Sequence, residues 1–179
     1  MSIAEQRLTD SLGKTCRLIV SNSLDESAVK VVQRIEDEMF RPELRYTPHE
    51  LVSRAGEKGF ILFTVLCEDQ PVAFLHGYSD PEDTLTFYLD SVATFVEGRG
   101  IGSTLVTLAL IHSYEVGYRL VTLYTEEKDD KGRLLRRFYE KLGFSFLFEN
   151  PKDGVCMVEK LDADTVSRVF LKSVLPVKK

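Results

Sequence analysis

Residues 84–94 are rich in Thr, Phe, Tyr and Val, residues 100–116 carry apolar side chains at helical spacing, and residues 119–125 return to a strand pattern. Strand, helix and strand in that order fit a right-handed crossover between parallel neighbours. No other stretch of the chain limits its topology as strongly. The turn that opens the helix reads Glu97-Gly-Arg-Gly-Ile-Gly-Ser103. Three glycines let successive backbone N–H groups approach a phosphate closely, and the helix N-terminus adds the positive end of its dipole. Arg99, between the first two glycines, adds a full charge. The same glycines also suit a tight turn that binds nothing.

The rest of the pattern surrounds this crossover. Residues 16–20 read as a first strand. Ser23-Leu-Asp-Glu26 has capping-box spacing, and Val29, Val32, Ile35, Glu36 and Met39 follow on one helical stripe. Thr47-Pro-His-Glu50 opens a second, short helix with Pro at its first position. Residues 60–67 and 72–78 are strands joined by the turn Glu68-Asp-Gln-Pro71, and with residues 84–94 they make an antiparallel meander. In the crossover helix, Ile101, Leu105, Leu108, His112 and Val116 form the expected inward stripe, and Gly117 ends it. Residues 131–142 are a helix with Leu134, Leu135, Phe138 and Leu142 inward. Residues 144–148 and 155–161 are two final strands, and residues 164–175 a last helix. The expected architecture is α/β (α+β): a mixed, mostly antiparallel sheet of about seven strands flanked by helices. Residues 1–14 are expected to be a flexible tail, residues 15–162 one domain, and residues 163–179 a helical extension that packs on the domain or makes a homodimer contact.

Composition narrows the function classes. A net charge of −5 argues against a nucleic-acid surface. The apolar runs are too short to span a membrane, and the first residues lack an apolar signal core. Cys16, Cys67 and Cys156 are odd in number and widely spaced, which suggests reduced strand residues in a cytoplasmic protein. His49, His76 and His112 have no metal-ligand spacing and read as structural; no metal is expected.

The glycine turn fits neither common nucleotide motif. A P-loop needs a lysine after its last glycine, and the dinucleotide fingerprint needs Gly-x-Gly-x-x-Gly; this turn is Gly-x-Gly-x-Gly. Gly98-Arg-Gly-Ile-Gly-Ser-Thr-Leu105 resembles the acetyl-coenzyme A motif of the GNAT (GCN5-related N-acetyltransferase) superfamily. Arg137-Phe-Tyr-Glu-Lys-Leu-Gly-Phe144 resembles its second motif, and Val155-Cys-Met-Val-Glu-Lys-Leu161 its closing strand. The resemblance covers roughly residues 60–161, and the chain is somewhat similar to the ribosomal-protein alanine acetyltransferases. It implies an acyl-CoA N-acyltransferase fold that uses acetyl-coenzyme A as cosubstrate. Backbone N–H groups of Gly98, Arg99, Gly100, Ile101, Gly102 and Ser103 would hold the pyrophosphate. The strand at Val92 and Thr94 would offer backbone groups to the pantetheine arm. Tyr139 falls on the position of a general acid toward the leaving thiolate, with core packing as its alternative role. Two positions depart from the family pattern. Glu97 replaces the Gln or Arg that opens the phosphate motif, and Gly132 replaces an Asn that holds the pantetheine.

The acceptor amine must lose a proton. Presenting an alkylamine of pKa about 10.4 in neutral form at pH 7 costs roughly 4–5 kcal/mol, against about 1–1.4 kcal/mol for a peptide α-amine. Glu126, in the context Leu123-Tyr-Thr-Glu126, and Asp90, inside a strand, are the candidate bases, directly or through a water. Either acid also fits a solvated strand end or sheet edge. The acidic run 126–131 reads as a solvated loop, or as an attractor for a cationic acceptor. The expected reaction is acetyl transfer to a primary amine, on a small molecule, peptide or protein, by direct attack in a ternary complex. The competing reading is a non-catalytic acyl-CoA-binding sensor or scaffold.

Overall fold

The computed structural model describes residues 2–129 and 132–174. Helix α1 (Ile3–Leu12) precedes β1 (Cys16–Ser21), α2 (Glu26–Met39), a 3₁₀ turn at Pro42–Leu44, and α3 (Pro48–Ala55). The meander β2 (Ile61–Cys67), β3 (Gln70–Ser79) and β4 (Thr86–Thr94) follows. After it come α4 (Ile101–Glu115), β5 (Leu120–Thr125), α5 (Leu135–Leu142), β6 (Ser145–Asn150), β7 (Gly154–Lys160) and α6 (Ala163–Ser173). The seven strands form one mixed sheet in the order β1-β2-β3-β4-β5-β7-β6. β4 and β5 pair in parallel, as the crossover requires, and the other neighbours pair antiparallel.

Two apolar layers cover the sheet. On one face α1, α4, α5 and α6 enclose a core that includes Leu8, Leu75, Phe87, Leu89, Leu105, Leu110, Tyr139 and Met157. On the other, α2 and α3 cover Leu62, Phe74, Tyr78 and Ala93 with Val32, Ile35 and Leu51. Local chemistry sets the helix starts: Asp25 accepts the Ala28 N–H at 2.7 Å, and Thr47 and Glu50 form a reciprocal capping box. The β2–β3 hairpin turns on Glu68 and Asp69, both at positive φ, the backbone of a two-residue turn matched to strand twist.

Four expectations are corrected. Residues 3–12, expected within a flexible tail, form α1, because Ser2 and Glu5 close a capping box and Ala4 and Leu8 are buried. Cys16 and Cys67, expected to be reduced, face each other across β1 and β2 and are joined by a disulfide; Cys156 alone is a free thiol, buried on β7. The buried side of α4 is broader than the expected stripe. Val106, Ala109, Leu110 and Ser113 are buried, Leu108 and His112 are half-buried, and Val116 is exposed. The reason is a second covering: α6 packs on α4, with the Thr104 hydroxyl donating to the Ser173 carbonyl at 3.3 Å. α5 begins at Leu135, later than expected, and Lys131 lies outside the described residues.

Candidate active site

β4 and β5 pair only from Thr86 to Tyr88. β4 continues to Thr94 with β3 on its other side, so its edge from Leu89 onward carries no neighbouring strand. Within this free stretch lies a bulge. His76 faces Ser91 and Gly77 faces Leu89, which leaves Asp90 as the extra residue. The bulge reverses the alternation of β4: Phe87 and Leu89 enter the α4-side core, but beyond it Val92 packs on that core and Ala93 enters the other. Gly77 permits the bulge, because a Cβ there would stand 2.4 Å from the Tyr88 carbonyl oxygen and 2.6 Å from the Phe87 ring.

The free edge leads to the glycine turn. Gly98 and Gly100 have φ of 71° and 78°, and a Cβ on either would meet no atom within 4 Å. They are therefore not glycines for want of packing space; they hold a left-handed backbone beside open solvent. Gly100 is the N-cap of α4 and provides no side-chain cap, and the first turn carries no acidic residue. The leading N–H groups of α4 thus face outward without a side-chain acceptor, which is the chemistry a pyrophosphate requires. The turn is braced from α1, where Ser11 donates to the Arg99 carbonyl at 2.6 Å. Arg99 is exposed and lines a cavity of about 560 Å³ between the end of α1 and the β2–β3 hairpin.

Glu97 does not stand as a bare carboxylate beside this turn. Arg133 reaches it with two bonds, at 2.5 and 3.0 Å, and bonds Asp129 through its Nε at 2.5 Å. A guanidinium is thereby fixed at the mouth of the turn by a residue distant in sequence. Gly132, beside it, sits at positive φ in the approach to α5.

α5 packs against the first turn of α4, with the Phe138 ring 3.5 Å from where a Gly102 Cβ would be. The next residue, Tyr139, is buried in the α4-side core and meets Phe138 and Phe144 edge-on. Burial raises its phenol pKa well above the ordinary value.

The two candidate acids have different surroundings. Glu126, just past β5, is about two-fifths exposed and ion-paired with Arg41 from the 3₁₀ turn. Asp90 lies at the bulge on the α2–α3 face, its side chain 2% exposed. Its oxygens accept from the Tyr46 hydroxyl at 2.9 Å and from Arg54 Nε at 2.7 Å, and the Arg54 guanidinium stacks on the Tyr46 ring at 3.9 Å. Three further groups, none expected in the site, complete this cluster. His76 Nδ1 is 3.6 Å from Asp90, and burial lowers the ring's pKa to about 4. Glu36 accepts the Tyr46 N–H at 2.9 Å, and burial raises its carboxyl to about 7. Tyr88 meets both Tyr78 and Tyr124 edge-on. The position of Glu36 on the buried stripe of α2 was a signal available in the sequence.

A family comparison decides what this arrangement belongs to. Residues 27–144 match the Acetyltransferase (GNAT) family. The chain belongs to that family. Solved structures with the same fold include the ribosomal-protein-S18-alanine N-acetyltransferase from Escherichia coli, with a TM-score of 0.64 at 15% identity over 82% of this chain and 95% of that one. The aminoglycoside 6'-N-acetyltransferase from Enterococcus faecium has a TM-score of 0.64 at 16% identity over 79% and 96%. The PaiA N-acetyltransferase from Thermoplasma acidophilum, in complex with coenzyme A, has a TM-score of 0.59 at 14% identity over 81% and 99%. Curated protein sequences give no match. Among the described residues of this GNAT chain, no helix is long and apolar enough to cross a membrane, and no cluster of His, Cys, Asp and Glu could hold a metal ion.

Proposed function

We propose that this protein transfers an acetyl group from acetyl-coenzyme A to a primary amine by direct attack in a ternary complex. The observation that carries this reading is the free edge of β4 running from the Asp90 bulge into an uncapped, open glycine turn. Backbone groups at Val92 and Thr94 would bind the pantetheine as an added strand does. The N–H groups from Gly98 to Ser103 would hold the pyrophosphate, with Arg99 and the Arg133 fixed by Glu97 and Asp129 offsetting its charge. Acetyl-coenzyme A supplies an acyl group activated as a thioester.

Tyr139 fits the acid role toward the leaving sulfur because burial keeps its phenol protonated. Since that burial also makes the phenol a weaker acid than a thiol of ordinary pKa about 8.5, its main effect is a hydrogen bond to the developing thiolate rather than early transfer of the proton. On the acceptor side, Asp90 stands on β4 and Glu126 just past β5, the two strands that diverge. Each is tied to an arginine, so each serves most readily by orienting the amine or a water.

The relatives named above act on a ribosomal protein's alanine and on an aminoglycoside, which makes amines of both kinds the first acceptors to try. The test is release of free thiol from acetyl-coenzyme A with polyamines, aminoglycosides, amino acids and peptide N-termini. Acetylated product with one class supports the proposal. Tight coenzyme binding with no thiol release for any amine would favour the sensor reading instead.

A further inference from the structure

The α2–α3 face of the bulge holds buried polar atoms that the protein leaves unpaired. Glu36 is 1% exposed and His76 is 0% exposed. Glu36 Oε1 and both ring nitrogens of His76 have no hydrogen-bond partner among the described residues. Both residues border Tyr46: the other Glu36 oxygen accepts its N–H, and His76 stands 3.6 Å from Asp90, which accepts from its hydroxyl. A buried polar atom without a partner is costly, and native proteins leave few. Unpaired buried atoms around one residue call for bound water, since a buried water takes two to four polar partners.

The position matters as much as the polarity. The bulge lies where β4 leaves β5, and Asp90 projects from it to the face opposite α4. On the acetyl-transfer reading, an amine attacking a thioester held along β4 would enter from that face. Asp90 is a poor final resting place for a proton, because protonation there would discard its bond to Arg54. Protonating Glu126 would likewise discard its pair with Arg41. Glu36 differs: among the described residues no arginine or lysine bonds it, so taking up a proton breaks no ion pair there.

We propose that Glu36 is the proton acceptor for the amine, reached through water held between its free oxygen, His76 and Asp90. This rests on the acetyl-transfer reading. The amine nitrogen forms its bond to the acyl carbon as the carbon–sulfur bond breaks. The amine's proton passes through the water to the Glu36 carboxylate, and the sulfur departs as a thiolate that accepts a hydrogen bond from Tyr139. Glu36 then releases its proton and the thiolate takes one up from solvent as it leaves, so protons and electrons balance. Burial sets Glu36 near 7, where it both accepts and releases a proton at neutral pH. The charged and titratable groups around it are Asp37 on α2, Tyr46 after the 3₁₀ turn, Arg54 on α3 and Asp90 on β4, with His76 on β3 facing the same pair.

The experiment is the pH dependence of kcat/KM for wild type, Glu36→Gln and Glu36→Asp, using an alkylamine that the acceptor panel shows to be a substrate. The amine's own titration, near 10.4, contributes only a constant slope between pH 5.5 and 8.5. Wild type is expected to show a break near pH 7. Glu36→Gln keeps the bond to the Tyr46 N–H but is expected to lose the break and at least tenfold in rate above it, with coenzyme affinity unchanged. Glu36→Asp is expected to keep a break at a shifted pH. A Glu36→Gln profile with the wild-type break, merely lowered at every pH, overturns the inference and leaves acetyl transfer standing. A wild type that acetylates no amine overturns both.

Discussion

Replacing Glu36 by Gln has a consequence for stability that needs no substrate. The folded carboxyl has a pKa of about 7 against an ordinary 4.5, so the native state holds a proton that the unfolded chain releases between those values. Stability from this group is complete below pH 4.5 and is lost as pH rises through 7. The shift of about 2.5 units corresponds to about 3 kcal/mol at 1.36 kcal/mol per unit. His76 works in the opposite sense. Its folded pKa of about 4 lies below the ordinary 6.5, so its contribution is present above pH 6.5 and lost as pH falls through 4. The two slopes oppose each other between pH 4.5 and 6.5, and the wild-type curve alone hides both. The difference between Glu36→Gln and wild type removes the His76 share. Urea unfolding at pH 4.5, 6 and 8 should show the variant gaining about 3 kcal/mol relative to wild type across that range. A difference that stays constant with pH would refute the buried, uncompensated carboxylate on which both this prediction and the proton-acceptor role depend.

Other outcomes follow from single groups. Tyr139→Phe should keep coenzyme affinity and lower turnover on the order of 10²-fold, read by thiol release; unchanged turnover would leave Tyr139 a packing residue. Gly100→Asp puts a side chain on a left-handed backbone, at a cost of about 1–2 kcal/mol, and a carboxylate where the phosphate would bind. Calorimetry should find acetyl-coenzyme A affinity lowered at least tenfold, and equal affinity would clear the turn of any part in binding. The Cys16–Cys67 bond closes a sequence separation of 51 residues, for which chain entropy gives about 4 kcal/mol. Thermal unfolding should therefore occur at a clearly lower temperature in reductant, and an identical transition with and without reductant would mean that the thiols are unbonded in solution.

The fold was legible where pattern and topology agree. Alternating strands, a glycine turn and an amphipathic helix leave little freedom, and the β4–α4–β5 crossover has the expected order. The glycine turn was legible for the same reason, since its shape belongs to backbone and glycine rather than to distant partners. What the sequence hid depends on contacts between remote positions. Glu97 stood only as a departure from the family pattern, because Arg133, 36 residues on, is not its neighbour in sequence. Asp90 was legible only as an acid inside a strand, because nothing in a strand pattern announces a bulge or the arrival of Arg54 and Tyr46. The disulfide was missed because pairing Cys16 with Cys67 requires the β1–β2 register. Helix α1 was missed because only Ala4 and Leu8 of its residues are buried, too few to give a stripe. Glu36 was visible on the buried stripe of α2, but that no described cation bonds it shows only once α3 and β4 are in place.

The central claim is that the open glycine turn and the free edge of β4 bind the donor. Calorimetric titration of the full chain with acetyl-coenzyme A, in parallel with Gly100→Asp, tests it most directly. The account predicts saturable one-to-one binding by the wild type at submillimolar ligand, weakened by the substitution. No binding at millimolar acetyl-coenzyme A, or binding that Gly100→Asp leaves untouched, would contradict it.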